Sequence, residues 1–192
     1  RYGLYPEIVK GINACSSLPL DLHFMVNDLN FSLAEFRSCK NIETITFHLE
    51  SCIGNELHII DKIKEIGAKP IVALNLATSF NMLDRLIVND EIDGVMLMGI
   101  HPGVLVQQAR PQNIFNDLEK LKDVLSESSA IDYIALDGAV NFNTFENLLK
   151  SGITHFIGGS SSIFREANSE MAFEERALKI KENWELIKRI IK

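Results

Sequence analysis

The feature that most constrains this fold is a repeated alternation along the chain between short apolar runs and longer amphipathic stretches. The short runs are rich in β-branched and aliphatic residues and predict strands, because all six are only four to nine residues long. The predicted strands are 18–26, 44–49, 70–75, 94–100, 133–137 and 154–157. Repeated strand–helix units of this kind predict a parallel sheet with right-handed crossovers.

The longer stretches place apolar residues three and four positions apart, as helices with one buried face do. The predicted helices are 5–15, 29–39, 56–66, 81–88, 112–126, 142–150 and 171–191. Gly67 and Gly152 follow two of these helices, in the position where glycine commonly ends a helix. A further short helical pattern covers residues 163–165.

Two architectures have this alternation, an open doubly wound sheet and a closed (β/α)₈ barrel. The Gly-x-Gly-x-x-Gly signature is absent after the first strand, which disfavours the dinucleotide-binding form of the open sheet. A barrel requires eight strands, whereas the sequence predicts six. A strand–helix–strand segment upstream of Arg1 would supply the others, and the chain does not begin with Met. We therefore expect one (β/α)₈ barrel domain over residues 1–192, with its first strands missing from this chain.

Charge and hydrophobicity exclude several classes of partner. The chain has 19 Lys and Arg against 26 Asp and Glu, a net charge of −7, and no basic run. Such a chain is a poor binder of nucleic acid or of an anionic membrane surface. No apolar run reaches the roughly 18 residues of a membrane span, and the first residues lack a signal-peptide pattern. Cys15, Cys39 and Cys52 lack metal-type spacing, so we expect reduced, buried thiols in a cytoplasmic protein.

Polar side chains recur where the predicted strands end, which is the edge of a parallel barrel that carries chemistry. His23 and Asp137 are candidate ligands of a divalent metal ion, because neutral imidazole and carboxylate suit Zn²⁺, Mn²⁺ or Fe²⁺. Alternatively, His23 is a hydrogen-bonded core residue and Asp137 a turn residue. His48 and Glu50 share one strand face. They could act in catalysis, or they could form a polar pair that plugs the barrel mouth, which we favour.

A small-residue segment follows the last predicted strand. Residues 158–162 read Gly-Gly-Ser-Ser-Ser. Exposed backbone N–H groups at such a turn bind anions, and in barrels the loops after the last two strands commonly hold a phosphate. The alternative is a flexible Ser-rich loop without a ligand.

Five segments, in order, resemble the strands and loops of the ribulose-phosphate 3-epimerase family. They are Leu-Asp-Leu-His-Phe-Met-Val at 20–26, Thr-Phe-His-Leu-Glu at 46–50, Met-Gly-Ile-His-Pro-Gly at 98–103, Leu-Asp-Gly-Ala at 136–139, and the phosphate loop at 156–164. The resemblance covers about residues 6–165 and looks nearest to the allulose-6-phosphate 3-epimerase branch.

The resemblance implies a barrel that inverts carbon 3 of a ketose phosphate by two-base proton exchange through an enediolate. It also implies a divalent metal ion, Zn²⁺ above all and otherwise Mn²⁺, Fe²⁺ or Co²⁺, held by two histidines and two aspartates. In this sequence His23 corresponds to a metal ligand and Asp137 to a metal-bound acid/base. The positions that correspond to substrate or phosphate contacts are His23, Met25, Met98, Gly103, Gly138, Ala139, Gly159, Ser160 and Ser161. The expected partners are a small sugar phosphate and further copies of the chain.

The sequence departs from the family pattern at several points. The family strand His-x-Asp-x-Met-Asp-Gly, which supplies the other metal histidine and the other catalytic aspartate, has no counterpart here. Two glycines of the family loop are Leu105 and Val106, and the second glycine of Asp-Gly-Gly is Ala139. A catalytically impaired or non-catalytic barrel that binds a sugar phosphate is therefore the alternative function. A truncated product without function is a third possibility.

Overall fold

In the described part of the chain, six parallel strands form one sheet. The computed structural model describes residues 4–101, 111–126, 131 and 133–191. The strands are β1 (Leu20–Phe24), β2 (Ile42–His48), β3 (Lys69–Leu74), β4 (Gly94–Met98), β5 (Tyr133–Asp137) and β6 (His155–Ile157). They pair in chain order from β1 to β6, and every pairing is parallel. A doubly wound sheet reverses its strand order at a switch point. This sheet has no reversal, and it forms a half-barrel.

The helices alternate with the strands as expected. They are α1 (Pro6–Cys15), α2 (Leu29–Ala34), α3 (Glu56–Ile66), α4 (Asp84–Val88), α5 (Pro111–Leu125), α6 (Phe145–Lys150) and α7 (Phe173–Ile191), with 3₁₀ turns at Leu49–Ser51 and Phe80–Leu83. Gly67 ends α3 with a φ of +88°, a left-handed conformation in which glycine avoids the strain that a side chain would bring.

Several helix predictions are wrong in part, among them the helix predicted at 142–150, which begins only at Phe145. The second helix ends at Ala34 rather than at residue 39, because the backbone tightens: Phe36 N donates to Leu33 O at 3.1 Å, and Cys39 N donates to Phe36 O at 3.0 Å. The helix predicted at 81–88 begins as a 3₁₀ turn. Residues 163–165 form turns rather than a helix, since Arg165 N bonds Ser162 O, only three residues back.

Side-chain alternation gives the sheet two different faces. The outer face packs against the helices through fully buried residues such as Ile45, Phe47 and Val72, which belong to the main hydrophobic core. The inner face carries a smaller apolar cluster formed by Ile71, Ala73, Met96, Met98 and Ala135. This cluster lies in the middle of the inner face, and His23, His48 and Asp137 lie on the same face toward the carboxyl ends of their strands.

The cysteines follow the predicted pattern only in part. All three are free thiols; Cys39 and Cys52 are buried, whereas Cys15 is exposed at the end of α1. Burial raises the pKa of Cys52 to about 12, and the neighbouring carboxylates of Glu56 and Glu50 add to the rise. Within the described ranges, no helix is both long enough and apolar enough to span a bilayer.

Candidate active site

His23 and Asp137 meet on the inner face of the half-barrel. His23 Nδ1 lies 3.5 Å from Asp137 Oδ2, and each side chain is 18% exposed. These residues belong to β1 and β5, which are four strands apart in the sheet. In a flat sheet four strand spacings would separate them by about 19 Å. The contact therefore requires a strongly curled sheet, and the structure brings together the two residues that the sequence singled out.

His48, on the neighbouring strand β2, contacts His23. Their Nε2 atoms are 3.0 Å apart, so the rings meet edge to edge, with centroids 5.1 Å apart and planes only 16° from parallel. Register explains the contact: His23 pairs with Thr46, so His48 is the next inward-facing position toward the carboxyl end of β2.

The electrostatic surroundings of His48 favour its neutral form. Burial lowers the pKa of His48, the positive charge that His23 can carry lowers it further, and the carboxylates of Glu50 and Asp137 oppose the shift. A neutral imidazole carries its proton on one ring nitrogen and offers a lone pair on the other.

Glu50 extends this polar row beyond the end of β2. Its Oε2 lies 3.7 Å from His48 Nδ1. Its other oxygen, Oε1, accepts hydrogen bonds from Asn75 N at 2.8 Å and from the Thr78 hydroxyl. The sequence suggested a plug formed by His48 and Glu50; in the structure the pair contacts a candidate metal ligand. The contact of Thr78 with Glu50 was not predicted, because Thr78 lies in the loop after β3 and belongs to no recognisable motif.

The turn after β5 is tightly packed and holds the backbone of Asp137. Gly99 N donates to Asp137 O at 2.7 Å. Gly138 has a φ of +93°, and a Cβ placed on it would lie 2.7 Å from Ile100 Cγ1. Ala139 also has a positive φ, +60°, and its carbonyl accepts the Thr144 hydroxyl at 2.7 Å. Close packing on both sides therefore fixes the backbone that aims the carboxylate.

The two methionines that the sequence singled out lie in different surroundings. Met98 is 4% exposed and pairs in register with Asp137. Met25 lies just beyond the end of β1 and is 45% exposed. A cavity of about 300 Å³ opens beyond β3 and β4, lined in part by Asn75, Thr78 and Met98. Its volume is at the lower end of small-molecule pockets, which span about 300–1,000 Å³.

The turn after β6 is exposed and follows the strand that pairs with β5. Ser162 N and Phe164 N both donate to Gly159 O at 3.1 Å, and this closes the turn. Gly159, Ser160 and Ser161 are exposed, and their backbone N–H groups have no acceptor among the described residues. Gly103, the remaining predicted contact, lies outside the described residues.

His23 and Asp137 fit as two ligands of one divalent ion. Two donors placed about 2.1 Å from a tetrahedral ion are separated by about 3.4 Å, close to the observed 3.5 Å. Imidazole and carboxylate are also the donor types that such ions take. Within residues 4–101, 111–126, 131 and 133–191, no group of three or more His, Cys, Asp or Glu side chains could hold an ion.

Comparison with known proteins agrees with this geometry. The sequence profile described as "Ribulose-phosphate 3 epimerase family" matches residues 3–164. The chain belongs to the ribulose-phosphate 3-epimerase family. The family membership predicted from the strand motifs is thereby confirmed.

Individual relatives support the same assignment. A ribulose-phosphate 3-epimerase of Methanocaldococcus jannaschii is 31% identical over 80% of this chain and 63% of its own length. Another, from Buchnera aphidicola subsp. Schizaphis graminum, is 33% identical over 81% of this chain and 66% of its own length. The chain thus spans just under two thirds of the length of these curated relatives.

One solved structure shows the same fold at low sequence identity. A mutant tryptophan synthase alpha-subunit from Pyrococcus furiosus superposes with a TM-score of 0.67 at 20% identity, covering 95% of this chain and 72% of that one. This match supports the barrel-type architecture and carries no information about activity.

Proposed function

We propose that this protein is a metal-dependent epimerase that inverts carbon 3 of a pentulose or hexulose phosphate. The observation that carries the proposal is the contact between His23 and Asp137, with Nδ1 and Oδ2 3.5 Å apart at the carboxyl end of a curled parallel sheet. Barrel enzymes perform their chemistry at this edge. Membership of the ribulose-phosphate 3-epimerase family supports the reaction class.

Asp137 acts as one of the two acid/base groups. Its carboxylate takes the proton from carbon 3, the electron pair of the broken C–H bond moves toward the carbonyl at carbon 2, and an enediolate results. Inversion then requires a proton from a second acid on the opposite face, which the family supplies from its His-x-Asp-x-Met-Asp-Gly strand. His23 and Asp137 would hold the divalent ion, Zn²⁺ by preference, which would polarise the carbonyl at carbon 2.

The remaining predicted contacts bind and orient the sugar phosphate. The exposed N–H groups of Gly159, Ser160 and Ser161 suit a phosphate, because small residues let it approach the backbone. Gly138 and Ala139 shape the wall of the site beside Asp137.

The two methionines complete the proposed site. Met98 gives it an apolar floor, and Met25 contacts the substrate from the rim beside β1. A small sugar phosphate is thus the proposed partner. Self-association into a homo-oligomer stays a prediction, since it rests on the family resemblance.

Exchange of the proton at carbon 3 with solvent tests the reaction class. Zinc-loaded protein is incubated with ribulose 5-phosphate, and separately with allulose 6-phosphate, in deuterium oxide, and the carbon 3 proton is followed by NMR. We expect loss of that signal with the wild type, at least a hundredfold slower loss with Asp137→Asn, and no change with Asp93→Asn. Asp93 is the matched control because it is an exposed aspartate at the opposite end of the sheet, just before β4.

Two results would count against the epimerase proposal. Absence of exchange with both substrates would reject it, and thermal stabilisation by the same sugar phosphates would then favour the non-catalytic binding protein that Leu105 and Val106, in place of the two family glycines, suggest. Undiminished exchange in Asp137→Asn would remove this carboxylate from the reaction.

A further inference from the structure

Four polar side chains form a continuous row through the site. Asp137 Oδ2 lies 3.5 Å from His23 Nδ1, His23 Nε2 lies 3.0 Å from His48 Nε2, and His48 Nδ1 lies 3.7 Å from Glu50 Oε2. The first two residues belong to the proposed metal site. The last two have no part in the proton transfer described above.

The short distance between the two imidazoles limits where their protons can be. Two nitrogens 3.0 Å apart need one proton between them, since two protons would clash and none would leave two lone pairs facing each other. With both rings neutral, two arrangements remain. Either His23 donates from Nε2 and His48 carries its own proton on Nδ1, or His48 donates from Nε2 and His23 carries its proton on Nδ1.

Burial at the Glu50 end decides between the two arrangements. His48 Nδ1 and Glu50 Oε2 are both buried, and neither has a hydrogen-bond partner within the described residues. At 3.7 Å the two atoms leave no room for a water between them, so a lone pair on Nδ1 would face the carboxylate oxygen directly, a costly arrangement for buried polar atoms. A proton on Nδ1 turns the same contact into an attraction. Asp137 is 18% exposed, so water can satisfy its carboxylate when His23 gives it no proton.

Glu50 is held in place to exert this effect. Asn75 N and the Thr78 hydroxyl occupy its Oε1, which leaves Oε2 directed at His48. The orientation of Glu50 thus comes from the loop after β3 and does not depend on the metal site.

We propose that His48, oriented by Glu50, is a positioning residue that keeps the proton of His23 on Nε2 and leaves the Nδ1 lone pair facing Asp137. This inference rests on the proposed function, because a lone pair beside a carboxylate is what a divalent cation requires. Outer groups that accept the N–H of a metal-binding histidine typically contribute 10–100-fold to metal affinity.

Nitrogen-15 NMR of the metal-free protein reads the tautomer directly. With histidine-labelled protein at neutral pH, we expect His23 to carry its proton on Nε2 and His48 on Nδ1. In Glu50→Gln, the amide can present either an oxygen or an N–H group to His48. We therefore expect both proton arrangements of the two rings to be populated in that variant.

Zinc affinity, measured by competition with a chelating dye, provides the second readout. We expect His48→Phe, which keeps a planar aromatic ring but cannot accept a hydrogen bond, to lose about 10–100-fold in affinity. His48→Gln can still accept the His23 N–H, and we expect it to recover most of the loss. His58→Phe is the control, because His58 is exposed on α3.

The outcomes separate this inference from the proposed function. A His23 proton found on Nδ1 in the wild type, or equal zinc affinity in His48→Phe and the wild type, would overturn the positioning role while leaving the epimerase proposal intact. If the wild type takes up no zinc, the proposed metal site fails, and the NMR tautomer still decides the inference.

Discussion

Gly138 is the position where a single methyl group should do the most damage close to the site. An alanine there would keep a φ of +93°, and its Cβ would lie 2.7 Å from Ile100 Cγ1 and 3.1 Å from Ile100 N. The left-handed conformation costs an L-residue about 1–2 kcal/mol. Forcing a methyl group into a filled space costs about 1–3 kcal/mol more. We therefore expect Gly138→Ala to lower the free energy of unfolding by about 2–5 kcal/mol.

Gly67 is the matched control for this substitution. Its φ of +88° is nearly the same, but a Cβ there would meet no atom within 4 Å. Gly67→Ala should therefore cost only the conformational part, about 1–2 kcal/mol. The difference between the two variants isolates the crowding around Gly138.

Urea unfolding followed by circular dichroism measures both variants, with equal slopes confirming comparable unfolding transitions. Zinc affinity should fall in Gly138→Ala, because the residue follows Asp137, and should be unchanged in Gly67→Ala. Equal destabilisation by the two substitutions would refute the argument from close packing. A larger loss at Gly67 would refute it more strongly.

Three further predictions concern stability and reactivity. Ala139→Gly should raise the free energy of unfolding by about 0.5–1 kcal/mol, measured in urea, because glycine relieves the strain of a φ of +60° and loses part of the gain to chain entropy. Burial lowers the pKa of His48, so the unfolded chain binds a proton that the folded chain resists, and stability should fall as pH drops below about 6.5. In His48→Gln the free energy of unfolding, measured by urea titration, should decline less between about pH 7 and 5 than in the wild type. An equal decline in both proteins would contradict this prediction. Iodoacetamide at about pH 8 should label exposed Cys15 at least a hundredfold faster than Cys52, whose pKa of about 12 leaves almost no thiolate. Equal labelling by mass spectrometry would contradict the burial of Cys52.

Much of the fold could be predicted because alternation and periodicity are properties of the chain itself. The strand at Tyr133–Asp137 and the helix at Glu56–Ile66 have the predicted bounds. Other ends were misplaced by a few residues, since helix ends depend on local hydrogen bonds such as the three-residue bonds that terminate α2 early. Periodicity alone does not distinguish an α-helical turn from a 3₁₀ turn, as the segment before α4 illustrates.

The site could be predicted only through the rule that the carboxyl ends of parallel strands meet at one edge of the sheet. That rule singled out His23 and Asp137, which the structure brings into contact. The contact between His23 and His48 depends on the register of β1 against β2, which no single strand encodes. The two-residue period from Thr46 through His48 was the available signal, because it places both on the inner face. The bond from Thr78 to Glu50 involves a loop residue and left no comparable signal.

We expect His23 and Asp137 to bind the same divalent ion. X-ray absorption at the zinc edge of the loaded protein tests it most directly. We expect nitrogen and oxygen ligands at about 2.0–2.2 Å, with at least one imidazole. The imidazole signal and the bound zinc should both fall sharply in His23→Ala while the circular dichroism spectrum is retained. Sulfur ligands, or a zinc environment unchanged in His23→Ala, would show that these two residues do not bind the ion.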